Sequence, residues 1–267
     1  MDKKKRTRFI IVIICILMAL LVGIILTENP NKEEEPVGIF MKDAVLHELN
    51  KISFFGMEVN PAVVSAYTVT AIIFVFALIV RIFFIPKFKD APGKFQLLLE
   101  QAVGIFDGLA TSNSPHRHKF LGAYVFTAGT YIFVGTMFEL LGVMAPTTVG
   151  SCIALPAPLA DINGAISMGV FSYLVIMSGG FAGNRVKGVL STLKDFSLPI
   201  SMSFRLFGAL LSGALVTELV YYYVTTSFVI PIFVAVMFTM LHALIQAYVL
   251  TMLTALFYGE ASLKEEE

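Results

Sequence analysis

Six long apolar stretches separated by polar segments set the pattern of this 267-residue chain. The first, 9–27 (FIIVIICILMALLVGIILT), follows the basic residues 2–8 (DKKKRTR). It reads as a retained helix rather than a signal sequence, because it is longer than a signal core and no A-x-A site follows it. The acidic segment 28–36 (ENPNKEEEP) cannot lie in lipid. Further apolar stretches cover about 61–86, 120–145, 164–182, 197–227 and 230–258. A helix rising 1.5 Å per residue crosses a hydrocarbon core of roughly 30 Å in about 20 residues. The pattern therefore predicts an all-α membrane protein of about six spans. Residues 1–36 form an anchor and acidic linker, and 37–267 form the main domain.

The segments between the spans carry their own periodicities. Residues 37–60 look interfacial, with HELNKISFF read as a short surface helix. After the Pro92-Gly93 break, Phe95, Leu98, Leu99, Ala102, Val103 and Phe106 fall at helical spacing, which predicts an in-plane amphipathic helix. Lys and Arg concentrate in 2–8, 81–119 and 185–194, and none occurs in 146–163 or 224–230. By the positive-inside rule both termini are expected on the cytoplasmic side, and 183–195 (GNRVKGVLSTLKD) is read as the basic exit of the fourth span.

Composition agrees with this picture and excludes several functions. Charged residues make up 14% of the chain and apolar residues 57%, against about 25% charged in soluble domains. Mean hydropathy is +0.82. With 19 basic and 19 acidic residues the net charge is zero, so nucleic acid is not an expected partner. Cys15 and Cys152 do not suggest a disulfide framework. His116 and His118 form an H-x-H within a basic run and read as a solvated loop. Neither a nucleotide-binding loop nor a metal cluster is legible, and no cofactor or metal is expected.

The informative residues are the ionisable ones inside the apolar stretches. From Phe196 to Gly259 they are Arg205 and Glu218 in the fifth span and His242 in the sixth. A lone arginine inside a span costs from about 3 kcal/mol on insertion scales to 10 or more in simulations, so it usually faces protein or water. Glu218 follows it by 13 residues, or about 20 Å of helix. His242 and Gln246 share a helix face. Glu139 falls late in the third span. Asp161 and Asn163 open the fourth, where an N-cap is the ordinary explanation. A set of acids at one side of the bundle, ending at a buried cation, suits a proton or cation path.

At these residues the sequence resembles subunit a of the F-type ATP synthases. SFRLFGALLSGAL is similar to the family's arginine motif, with Arg205 as the arginine and Pro199 six residues ahead. QAYVLTMLTALFY resembles the last-helix motif, with Gln246 as its glutamine. APGKFQLLLEQAVGIFDG resembles the family's cytoplasmic helix, PLADINGAISM the start of the next span with Asn163 at its polar position, and GTMFELLG the third-span motif with Glu139 at its acid position. Ala209, Ala214 and Thr239 stand where the motifs usually carry asparagine, glutamate and an acid or histidine. Glu218 and His242 lie about one turn from the last two of these and are expected to act as relocated equivalents.

The resemblance implies a non-catalytic, ion-translocating stator in the cell membrane. Its partners would be a ring of c subunits, peripheral-stalk b subunits, the other synthase subunits and the lipid bilayer. Two half-channels would meet at the ring, where Arg205 deprotonates passing carboxylates, and a proton is favoured over sodium. The implied ion-translocation set is Arg205, Gln246, Glu218, His242, Asn163, Glu139 and Asp161. The competing reading is a secondary transporter using Arg205 for an anionic substrate, but neither the repeats nor the broken helices of such folds are visible by eye.

Overall fold

The computed structural model describes residues 11–16, 18, 19, 22, 51–54, 56–148, 150, 152–222 and 234–263. Most of the first apolar stretch, the acidic linker and the turn around TTSFVIP lie outside this set, as does the division of the chain at residue 36. Residues 11–16 are helical.

Among the described residues five helices are long and apolar enough to cross a membrane: Pro61–Lys87, His118–Leu140, Ile162–Lys194, Ser197–Thr217 and Val236–Ser262. The chain is a multi-pass, all-α membrane protein. The first of these segments is α1 (Pro61–Ile79), continued by a π turn (Val80–Phe84) and a 3-10 turn (Ile85–Lys87). Asn60 caps it by accepting from the Ala62 amide at 2.9 Å, and Pro61 supplies the preset φ of a first helical residue.

Helix α2 (Lys94–Asn113) covers the predicted amphipathic segment. Leu99, Ala102 and Phe106 turn towards the protein, whereas Phe95, Leu98 and Val103 stay exposed and form an apolar face available to lipid. The side-chain amide of Gln96 closes the preceding loop, accepting from the Lys89 amide at 3.1 Å and donating to the Lys89 carbonyl at 2.9 Å.

Helix α6 (Met240–Ser262) packs most extensively, against both α3 (His118–Leu140) and α4 (Ile162–Lys194). Glycines set their spacing, as expected where lipid provides no hydrophobic drive to associate. A β-carbon on Gly129 of α3 would lie 2.6 Å from the Phe106 ring and 3.2 Å from Thr251 of α6. One on Gly179 of α4 would lie 2.8 Å from the Tyr258 ring of α6. Tyr124 and Ser172, joined at 2.7 Å, tie α3 to α4. Leu121, Val125, Ile132, Ile176, Leu206 and Tyr258 lie at the centre of the core.

Two sequence expectations are corrected here. Residues 52–54 of the HELNKISFF segment are not helical: β1 (Ile52–Phe54) pairs with β2 (Met57–Val59), with Gly56 at φ +80 in the turn. Four apolar or β-prone positions followed by a glycine favour a hairpin over a helix too short to nucleate alone. A second hairpin, β3 (Met144–Pro146) with β4 (Cys152–Ala154), forms within the loop after α3. The Lys51 carbonyl accepts from the Thr148 amide at 2.9 Å and joins the two hairpins at the charge-poor end of the bundle.

The second correction concerns the exit of the fourth span. Residues 185–194 are not an extended basic loop, because the helix reverses at Asn184–Arg185 and runs back along itself. Arg185 adopts φ 53. A β-carbon on Gly180 would lie 2.8 Å from the Gly188 carbonyl oxygen, and the Tyr173 hydroxyl donates to the Thr192 carbonyl at 2.9 Å. The two legs are antiparallel, and α5 (Ser197–Tyr222) continues the returning one. Only glycine at both crossing points allows backbones this close.

Candidate functional site

Helix α5 corrects the expectation of a buried arginine: it places Arg205 on its outer wall, exposed, between Phe204 (62% exposed) and Gly208, which has open space beside it. Val186, Leu190, Leu193, Phe196, Ile200 and Phe204 are all exposed. Their spacing of three to four residues makes one apolar stripe that runs from the reversal to Arg205. On α6, Leu241, Leu244, Ile245, Tyr248 and Met252 form another exposed apolar face. Arg205 makes no ion pair among the described residues. A permanently charged guanidinium thus sits on a wall that is otherwise hydrocarbon.

Gln246 points the other way. It is 6% exposed, on the face of α6 that also buries Ala243, Ala247 and Leu250, and its Oε1 has no donor among the described residues. Buried carbonyl oxygens rarely go unpartnered, so this one needs a donor such as water. His242, one turn earlier on α6, packs its ring against Phe238 with centroids 5.8 Å apart. Its Nδ1 lies 3.5 Å from the β-carbon position of Gly213 on α5.

That contact fixes the depth of His242. Helical side chains lean towards their own N-terminus, and the imidazole reaches the level of Gly213. This level is eight residues, about 12 Å, from Arg205 and five residues, about 8 Å, from Glu218. Glu218 lies on α5, and its side chain is outside the described part of the structure.

The remaining candidates gather near the hairpin end. Glu139 is half-buried at the end of α3. Asn163 is exposed in the first turn of α4. Asp161 acts as a cap: its Oδ1 accepts from the Asn163 amide at 2.8 Å and the Gly164 amide at 3.3 Å. Its Oδ2 accepts from Asn60 Nδ2 at 2.8 Å, so Asn60 and Asp161 clasp the starts of α1 and α4 together. The structure thus brings His242 beside the Gly213–Ala214 step and sets Asp161 in a structural role, while Arg205 stands apart on the outer wall.

At the opposite end His116 Nε2 and Ser262 Oγ are 3.3 Å apart, and His118 Nδ1 lies 2.9 Å from the Pro115 carbonyl. Cys15 and Cys152 are free and exposed. Sequence reasoning missed the arrangement around the reversal, where Asp195 and Glu260 line a common cavity with Asn184. The signal was present as the glycines of SGGFAGNRVKG, which straddle the end of the expected fourth span and its basic exit.

The family model described as ATP synthase A chain matches residues 63–259. The chain is 26% identical over 215 residues to ATP synthase subunit a of Histophilus somni (strain 129Pt), a match covering 67% of this chain and 80% of the relative. It is 27% identical over 201 residues to ATP synthase subunit a of Glaesserella parasuis serovar 5 (strain SH0165), covering 64% and 76% respectively. The matched region takes in all five described spans but for the first two residues of the first and the last three of the last, with the exposed arginine and the buried glutamine, and the chain belongs to the ATP synthase A chain family.

Proposed function

We propose that this chain is the ion-translocating stator subunit of a rotary ATP synthase in the cell membrane, working against a ring of c subunits. The observation that carries the reading is Arg205, a permanent cation exposed on an apolar wall with no ion pair among the described residues. Left to lipid, such a charge is costly. A neighbouring subunit presenting a carboxylate at that depth removes the cost, and a ring of such carboxylates can do so repeatedly.

The chemistry then follows from electrostatics. A protonated ring carboxyl that comes alongside Arg205 is favoured in its ionised form, because an opposite charge nearby lowers a carboxyl pKa. The proton leaves towards the basic-loop side. The carboxylate, having passed the arginine, takes a new proton from the other side before it moves into lipid. Arg205 also repels cations and so prevents a direct leak between the two sides. One charge crossing 100 mV releases about 2.3 kcal/mol, so several must cross for each ATP.

In this reading the path from the hairpin side is lined by Glu218, His242, Gln246, Asn163 and Glu139, with Asp161 holding its rim. The buried Oε1 of Gln246 supports a hydrated route at this depth. The basic loops face the cytoplasm, b subunits and the remaining synthase subunits complete the complex, and the ion is a proton. Arg205→Ala should abolish ion-driven ATP synthesis while the detached catalytic head still hydrolyses ATP. Arg205→Lys should lose at least tenfold, since a compact ammonium does not replace the planar fork. Normal synthesis in Arg205→Ala membranes would overturn the mechanism.

A further inference from the structure

The helix reversal at Asn184–Arg185 encloses a cavity of about 210 Å³ between α4, the start of α5 and the end of α6. It has room for several waters. Its wall carries the carboxylates of Asp195 and Glu260, with Asn184, Ser191 and Thr192 between them. Both acids are exposed, so the cavity opens to water at the basic-loop end. Asn184 closes its base by donating from Nδ2 to the Leu263 carbonyl at 2.8 Å. Leu198 forms part of the lining towards the bundle. It lies seven residues before Arg205 on the same helix, which is about 10 Å. The stripe of Val186, Leu190, Leu193 and Phe196 faces outward, so the returning leg presents its apolar side to the surroundings and its polar side to this cavity.

We propose that this cavity is the aqueous mouth of the ion path on the basic-loop side, and that Asp195 and Glu260 collect and release the cation there. The proposal rests on the ion-translocating reading above and assigns it two residues and a place. Lys194 directly precedes Asp195, and Lys187 lies on the same returning leg. The two carboxylates at the opening offset that positive field and concentrate cations where water meets the bundle. Protons released by a ring carboxyl beside Arg205 would cross the remaining two helical turns to Leu198 and enter bulk water between the acids.

The test uses the assembled complex in membranes stripped of the catalytic head, with passive proton conduction as the readout. The double variant Asp195→Asn with Glu260→Gln should conduct at least threefold more slowly at unchanged amounts of complex. The charge-keeping pair Asp195→Glu with Glu260→Asp should conduct normally. With Cys15 and Cys152 replaced by serine, Leu198→Cys should react with silver ion or a small charged thiosulfonate added from the basic-loop side. Wild-type conduction in the carboxamide variant, failure of the charge-keeping pair, or an unreactive Leu198→Cys would each overturn the proposal. The Arg205→Ala arm separates the two readings. If that variant uncouples the complex while the carboxamide variant conducts normally, only the mouth is misplaced. If Arg205→Ala stays coupled, the ion-translocating reading itself fails.

Discussion

His242 Nδ1 lies 3.5 Å from the position that a β-carbon on Gly213 would occupy, so the imidazole of α6 lies against the backbone of α5 beside Ala214. The motif that Arg205 opens usually carries its acid at this step. The histidine therefore brings a titratable group from the facing helix to the level where α5 itself has none. His242→Ala should lower ion-driven ATP synthesis at least threefold with normal assembly. Gly213→Ala should be tolerated, because its methyl makes an ordinary contact and alanine favours helix by up to about 1 kcal/mol. Synthesis rates and thermal unfolding of the purified complex check both.

Glu218 is the acid on α5 nearest that level. Glu218→Gln keeps size and polarity but removes the titrating proton, so synthesis should fall sharply while the complex assembles. Glu218→Asp should retain partial function. The exchange Ala214→Glu with Glu218→Ala should restore some activity, since i and i+4 share a helix face. Full coupling in Glu218→Gln, measured as ATP synthesis in energised vesicles, would shift the path onto Glu139 and Asn163.

Asp161 should behave differently, because its oxygens accept from two amides of α4 and from Asn60. Asp161→Ala removes an N-cap worth about 1 kcal/mol and leaves the Asn60 amide unpartnered, so the melting temperature of the complex should drop. Asp161→Asn can still cap and should stay close to fully coupled. A carboxamide variant that assembles normally yet loses coupling would make Asp161 a conducting group.

The reversal of α4 depends on two glycines and tolerates a strained arginine. A β-carbon on Gly188 would collide with the Gly180 carbonyl oxygen, so Gly188→Ala should sharply reduce the amount of assembled complex. Arg185→Gly should assemble at least as well as the wild type and melt higher, because φ 53 is strained for any residue with a β-carbon and free for glycine. Quantifying the complex by native gel and its melting temperature distinguishes the two effects.

The sequence by itself determined the spans and the odd residues within them. Lipid imposes a length and an apolarity that are read one residue at a time, so α1, α3, α5 and α6 begin or end within a few residues of the expected places. An arginine in RLFGALL is conspicuous for the same reason. A local signal also marked the cap at Asp161. What only the tertiary structure decided depends on two segments meeting. The exposure of Arg205 and the burial of Gln246 depend on which faces of α5 and α6 find partners, and an even hydropathy around each helix hides that choice. The depth of His242 came from its contact with Gly213, across a turn that sequence spacing could not register. The reversal at Asn184–Arg185 needed Gly180 and Gly188 to meet at backbone distance, and only that closeness places Asp195 and Glu260 around one cavity.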